Sequence, residues 1–268
     1  MTQSAIVQSI ASAREAIGTR AAQHIDLTIR RIMRGQGVEL GDGYLRLVTG
    51  EPHPMGNVAI VSDPAGLRTT ATAIAPLLAC RMPTSALFPN GLSGAVKQAL
   101  VGSGYESVGT MPAMAVDLNR LAATALPRGY DWVRIGGGAD SHAWTDTFAA
   151  SYEIPRKLAR LFSPECVGVD TMADAPVQFF AIHHDGRCVA TSLMYLADGL
   201  AGIYCVATLP GERGKGLGAH VTAEPLRIAQ QLGYRVGILQ SSTAGHPVYL
   251  RLGFSDFASV PMFVRMPA

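Results

Sequence analysis

The stretch Leu209-Pro210-Gly211-Glu212-Arg213-Gly214-Lys215-Gly216-Leu217-Gly218-Ala219 concentrates glycine between two patterned segments. Before it, Ala201 to Thr208 reads as a strand; after it, Leu217, Val221, Ile228 and Leu232 recur at helical spacing. A strand, a glycine-dense turn and a helix start in series leave several backbone N–H groups unpartnered at the positive end of a helix dipole, and that is an anion site. Glycine suits it because a side chain at Gly214, Gly216 or Gly218 would hold a diphosphate off the backbone or obstruct the tight turn.

Several nucleotide sites use this logic. A Walker loop requires glycine at position 209 and Ser or Thr at 216, and the chain has Leu209 and Gly216. The dinucleotide pattern G-x-G-x-x-[GA] is formally met by Gly214, Gly216 and Ala219, but the next strand, Val236 to Gln240, ends in an amide where an acid is needed. It also follows antiparallel hairpins instead of opening a βαβ unit, so a nucleotide-dependent oxidoreductase ranks a distant second.

Arg213 to Gly218 resembles the R/Q-x-x-G-x-G/A acetyl-CoA signature of the GNAT superfamily of N-acetyltransferases. Val206 to Pro210 is similar to the family's V-x-x-x-P strand end, and Pro247-Val248-Tyr249-Leu250-Arg251-Leu252-Gly253-Phe254 resembles its A-x-x-L-Y-x-x-x-G-F segment. The resemblance spans about Tyr130 to Met266. It implies an α/β (α+β) GNAT fold, a mixed, mostly antiparallel sheet flanked by helices. It also implies acetyl-CoA as co-substrate without a metal, its diphosphate held by the amides of Arg213, Gly214, Lys215, Gly216, Leu217, Gly218 and Ala219. Val206, Ala207 and Thr208 would pair with pantetheine between two parallel strands that splay apart, where an N–H polarises the thioester carbonyl.

Tyr249 falls on the family's general-acid tyrosine; a phenol is protonated at neutral pH and can protonate a departing thiolate. Ser242 stands where family members often carry Asn, and it can cap a helix but reaches less far. Pro225 is expected to kink or end the helix that follows the glycine turn. The strand from Gly202 to Thr208 has no Asp or Glu, so the carboxylate that often serves the family as general base is missing there. Tyr204, His246 or a chain of waters would substitute, and the base stays unassigned.

The elements that must position these residues divide the chain into an N-terminal helical segment (1–42), an α/β lobe (43–120), a linker (121–129) and the lobe carrying the signature (130–268). In the first, Ile6, Ile10, Ile17, Ile25, Ile29 and Ile32 recur near helical spacing. In the second, strand-like runs (44–48, 58–61, 113–118) alternate with helical ones (67–78, 92–101). This smaller lobe weakly resembles the degenerate N-terminal lobe of tandem GNAT proteins. It has no R-x-x-G-x-G, and Asn90-Gly91-Leu92-Ser93-Gly94 lacks the Arg, so no second CoA is expected; its roles would be to wall the acceptor site or to form a homodimer surface. Beyond the linker come a strand (130–135), a loop at Gly136 to Gly138 and helices from Ser141 toward Tyr152 and before Phe162. Three antiparallel strands follow, turning at Asp185-Gly186 and Asp198-Gly199. His183 and His184 read as turn residues.

A chain of 268 residues has room for about two domains of roughly 150 residues. The net charge of +2 supplies no field for nucleic acid, an anionic membrane or a polyanionic substrate. Cys80, Cys166, Cys188 and Cys205 are scattered without a C-x-x-C pair, which reads as buried free thiols. No signal peptide or membrane-spanning run is visible, so a cytoplasmic protein is expected. The sequence thus points to an enzyme that moves an acetyl group from CoA to a primary amine of a small molecule. A protein lysine or N-terminus as acceptor, and a non-catalytic acetyl-CoA sensor, are the alternatives.

Overall fold

Residues 24, 27–28, 30–32, 37–63 and 65–267 are described by a computed structural model. Their strands form one eleven-stranded sheet in the order β1-β2-β3-β4-β11-β5-β10-β9-β8-β7-β6. The first half of the chain runs β1 (Val38–Gly41), β2 (Tyr44–Val48), β3 (Asn57–Val61), α1 (Leu67–Ala79), β4 (Thr84–Leu87), α2 (Gly94–Gly102) and β5 (Glu106–Asp117). After β6 (Tyr130–Arg134), α3 (Ala139–Tyr152), α4 (Arg156–Arg160) and α5 (Pro164–Val167), the same series returns as β7 (Val177–His184), β8 (Arg187–Ala197), β9 (Leu200–Thr208), α6 (Leu217–Gln231), β10 (Val236–Gln240), α7 (His246–Arg251) and β11 (Ser255–Arg265).

Each half therefore has three antiparallel strands, a helix, a parallel strand, a helix and a long final strand. The final strands are exchanged: β5 lies against β10, and β11 lies against β4. The two also pair with each other along most of their length. Among the described residues only β3 with β4 and β9 with β10 are parallel. The strand expected from Ala113 begins earlier, at Glu106, because the first residues of β5 are exposed and carry no apolar alternation; backbone pairing with β11 holds them.

Asp185-Gly186 and Asp198-Gly199 form the expected hairpin turns, with φ of 49° and 72° in the first and 49° and 69° in the second. Positive φ at both central residues matches the twist of the flanking strands. The C-terminal half packs α6 and α7 on one face of the sheet, around Leu217, Val221, Leu226 and Leu252. It packs α3 and α4 on the other, around Trp144, Phe148 and Leu158, and Ile32 joins that second core. Of the N-terminal helical run, His24, Leu27, Thr28, Arg30, Arg31 and Ile32 are helical, and the rest lies outside the described residues. All four cysteines are free, but of the burial expected for them Cys188 alone has it; Cys80 and Cys205 are half-buried and Cys166, on the short α5, is exposed.

Helix α6 does not end at Pro225; it runs on for six more residues to Gln231. Proline removes the N–H that would bond the carbonyl four residues earlier, here that of Val221. Ser192 Oγ, on β8, donates to that carbonyl at 2.7 Å within the core. The first half repeats the device: Pro76 sits inside α1, and the freed carbonyl of Thr72 accepts from Arg46 Nη1 at 2.8 Å. Arg46 is held by an ion pair with Glu39. Removing the Ser192 hydroxyl strands a buried carbonyl, so Ser192→Ala is expected to cost about 1–3 kcal/mol in urea unfolding. In a Pro225→Ala background, where the helix regains its own N–H, the same substitution should cost clearly less; strictly additive penalties would show that the two groups are not coupled.

Candidate active site

Strand β10 pairs with β9 only over Val236–Leu200, Gly237–Ala201 and Ile238–Gly202, after which the two separate. Beyond that point β9 stays with β8, and β10 stays with β5 as far as Gln240. A cavity of about 690 Å³ opens in the wedge and runs from Ile203 and Gln240 to the glycine turn. Within it β9 is irregular: its register against β8 slips between Thr191–Ala207 and Leu193–Tyr204, and Cys205 takes φ of 52°. Such a bulge gives Cys205 and Val206 one partner between them and turns backbone groups out of the ladder. The Val206 carbonyl accepts from Tyr152 Oη at 3.2 Å, and that of Cys205 from Thr191 Oγ1 at 3.0 Å.

At the other end of the cavity, Gly214 and Gly216 have φ of 81° and 83°. A Cβ at either would meet no atom within 4 Å, so glycine is required there by the left-handed backbone and not by crowding. Gly216 caps α6 without any side-chain bond, and the first turn holds no acidic residue. The N–H groups of Leu217, Gly218 and Ala219 therefore point into the cavity mouth at the positive end of a fifteen-residue helix. The equivalent start of α1 differs, because Asp63 brings its own carboxylate there: Oδ1 accepts from Ala65 N at 3.1 Å and Oδ2 from Thr69 Oγ1 at 3.4 Å.

Side chains pin the turn. Arg213 donates from Nε to Thr208 O and from Nη2 to Ser151 O, each at 3.2 Å, tying the turn to β9 and α3. Lys215 Nζ donates to Glu212 Oε2 at 2.8 Å and to Tyr130 Oη at 2.9 Å, and Tyr130 stacks on His184 at 4.1 Å. Lys215 and Tyr130 hold the Glu212 carboxyl below the usual carboxylate range. The structure thus gathers Val206, Ala207, Thr208, Arg213, Gly214, Gly216, Leu217, Gly218, Ala219, Ser242 and Tyr249 around one cavity, while Lys215 turns its side chain toward Glu212 and Tyr130. Ser242 Oγ accepts from Gly245 N at 3.1 Å just before α7. His246 lies outside the cavity lining, bound to Asp256 at 2.9 Å.

Tyr249 is 7% exposed, and burial pushes its phenol up to about 12. It is a protonated donor at neutral pH. Tyr152, in the same lining, is also shifted upward by burial, with smaller contributions from Cys205 and Tyr249. Sequence reasoning missed Ser151, Tyr152, Gln240 and Arg251, all of which line the cavity. Ser151 Oγ and Gln240 Nε2 are buried and have no hydrogen-bond partner among the described residues. The C-terminal turn of α3 carried no motif; only its distance in space from β9 reveals it. Among the described residues no group of His, Cys, Asp or Glu is arranged to hold a metal.

Residues 141–254 match the model of the acetyltransferase (GNAT) family. Among solved structures the chain is similar to a GCN5-related N-acetyltransferase from Kribbella flavida, at 21% identity and a TM-score of 0.66, with 91% of this chain and 95% of that one covered. It is similar to a GCN5-related N-acetyltransferase from Sphaerobacter thermophilus, at 16% identity and a TM-score of 0.58, over 86% of this chain and 82% of that one. A tandem GNAT protein from the clavulanic acid biosynthesis pathway aligns at 17% identity and a TM-score of 0.54, over 84% of this chain and 78% of that one. No curated protein matches the chain. At these identities the solved structures speak for the fold, and the family match on 141–254 covers the glycine turn and Tyr249 alike. Built as two like halves in one sheet, the chain shares its fold with these solved structures, and the segment of its second half that carries the glycine turn matches the model of the GNAT family.

Proposed function

We propose that this chain transfers an acetyl group from acetyl-CoA to a primary amine of a small molecule. The observation that carries the reading is the single cavity joining an uncapped helix start to the wedge between β9 and β10. The residues fit the co-substrate: free N–H groups at Leu217 to Ala219 suit a diphosphate, and the orphaned Ser151 Oγ and Gln240 Nε2 suit the amides and hydroxyl of a pantetheine arm. Acetyl-CoA supplies an acetyl group already activated as a thioester. Unpaired strand edges along Val206 to Thr208 hold the arm by backbone bonds, and Tyr249 holds a proton for the departing sulfur. A small acceptor is favoured because the chain has no acidic run to dock a basic peptide, and Glu212 is engaged by Lys215 and Tyr130.

Calorimetry with acetyl-CoA, followed by mass spectrometry of products from a metabolite extract, tests the reading. Binding with an acetylated amine product is the expected result; binding without any transfer would favour a sensor, and no heat at all would remove the assignment. Gly216→Ala is expected to weaken acetyl-CoA binding about tenfold, since a side chain at left-handed φ costs roughly 1–2 kcal/mol. Tyr249→Phe should lower kcat about 10²- to 10⁴-fold while leaving acetyl-CoA affinity unchanged. Unaltered turnover would remove Tyr249 from the chemistry.

A further inference from the structure

A carboxylate in the lining of an anion site works against the anion unless a cation cancels it. Glu212 lines the cavity together with Leu217, Gly218 and Ala219, the residues that open α6. Lys215, the ammonium that the glycine turn itself carries, is absent from that lining, although Gly214 and Gly216 on either side of it are present. The turn therefore offers its backbone to the cavity and its one lysine side chain to the acid.

Ammonium, carboxylate and phenol close a triangle. Lys215 Nζ donates to Glu212 Oε2 at 2.8 Å and to Tyr130 Oη at 2.9 Å, and Tyr130 Oη donates to the same Oε2 at 2.7 Å. The ammonium also stands 5.6 Å from the centroid of the Tyr130 ring. His184, stacked on that ring at 4.1 Å, brings Nδ1 to 3.9 Å from Glu212 Oε1. Lys215 and Tyr130 hold the Glu212 carboxyl below the usual carboxylate range, and Glu212 and Tyr130 hold the Lys215 ammonium above the usual lysine range. Both members of the pair are thus charged at neutral pH. The Glu212 side chain is 19% exposed and that of Lys215 42%, so the acid is the more enclosed of the two.

The other charged side chains in the lining are Arg213 and Arg251. Arg213 is bound to the carbonyls of Thr208 and Ser151. Without Lys215, the Glu212 carboxylate would keep the Tyr130 hydroxyl but have no lysine or arginine at ion-pair distance among the described residues. The start of α1 shows such an arrangement: Asp63 accepts from Ala65 N and Thr69 Oγ1 and has no cation partner among the described residues. That is the half of the chain without the glycine turn.

We propose that Lys215 serves acetyl-CoA binding by cancelling the charge of Glu212 and not by contacting phosphate, an inference that rests on the acetyl-CoA reading of the cavity. Lys215 is in this sense a positioning residue: it holds the carboxylate on the side of Tyr130 and His184 and leaves the α6 amides to the diphosphate. A repulsion between Glu212 and the diphosphate, once uncovered, is electrostatic, so it weakens with salt and vanishes when Glu212 is made neutral.

Calorimetry with acetyl-CoA on wild type, Lys215→Met, Glu212→Gln and the double variant, at about 0.05 M and about 0.5 M salt, tests the proposal. Lys215→Met is expected to bind about tenfold more weakly than wild type at the lower salt, and about threefold or less more weakly at the higher, where screening shortens the reach of the charge. The double variant should bind within about threefold of Glu212→Gln, because Lys215 then has no charge left to cancel. A loss that persists in the Glu212→Gln background, or that ignores salt, would overturn the inference and leave acetyl-CoA binding standing. So would a loss under threefold for Lys215→Met at the lower salt. A wild type that gives no heat with acetyl-CoA would remove the underlying reading as well. If Lys215→Met fails to fold, Lys215→Gln carries the comparison by the same criteria.

Discussion

Everything at the site depends on β10 being held by β5 over its whole length while β9 releases it after three residues. Two adjacent parallel strands would ordinarily continue their ladder, because unpaired backbone groups in a sheet interior are costly. Here each is claimed by its other neighbour: β9 follows β8 through the bulge at Cys205, and β10 follows β5 to Gln240. The wedge left between them exposes strand edges to the cavity, where backbone groups are open to an incoming partner. Strand β5 comes from the first half of the chain, so the half without a glycine turn still fixes the strand, β10, that brings Gln240 to the cavity.

The exchange of final strands also joins the two halves in a single sheet. Strand β11 sits between β4 and β5, and its pairing with β5 carries a bulge near Ala258 and another near Phe263. The sheet runs without interruption from β1 to β6, so both halves share one hydrogen-bonded ladder with the wedge inside it. The two prolines fit that demand. An interior proline bends a helix unless the freed carbonyl finds a donor, and in both α1 and α6 the donor comes from the sheet beneath: Arg46 on β2 and Ser192 on β8. Each helix is thereby fastened to its strand at the one place where its own ladder is interrupted.

The glycine turn, the strand before it and the helix after it were legible in the sequence because they are local: their signals are residue types a few positions apart. The hairpins at Asp185-Gly186 and Asp198-Gly199 were legible for the same reason. Local reading failed where a partner was remote. Pro225 announces a helix end, and Ser192, thirty-three positions earlier, cancels it. The start of β5 is too polar to show a period, since its order comes from β11. Tyr152 and Ser151 stand at the end of an unremarkable helix, and nothing in their spacing connects them to Val206 or Arg213. Tyr204 was among the open substitutes for a base, but His24 carried no signal until the fold stacked it on that ring.

The contrast between the two helix starts bears on why a duplicated architecture carries one anion site. Both α1 and α6 follow a strand, both present first-turn N–H groups, and both carry an interior proline fastened from below. Beside the start of α1 a carboxylate of the chain itself, Asp63, accepts from Ala65 N and the Thr69 hydroxyl, so a second anion there would meet like charge. At α6 the corresponding carboxylate, Glu212, is drawn aside by Lys215 and Tyr130, and Arg213 is drawn onto Thr208 and Ser151. With the Glu212 and Arg213 side chains engaged, the backbone amides of Leu217 to Ala219 are left as donors at that helix start.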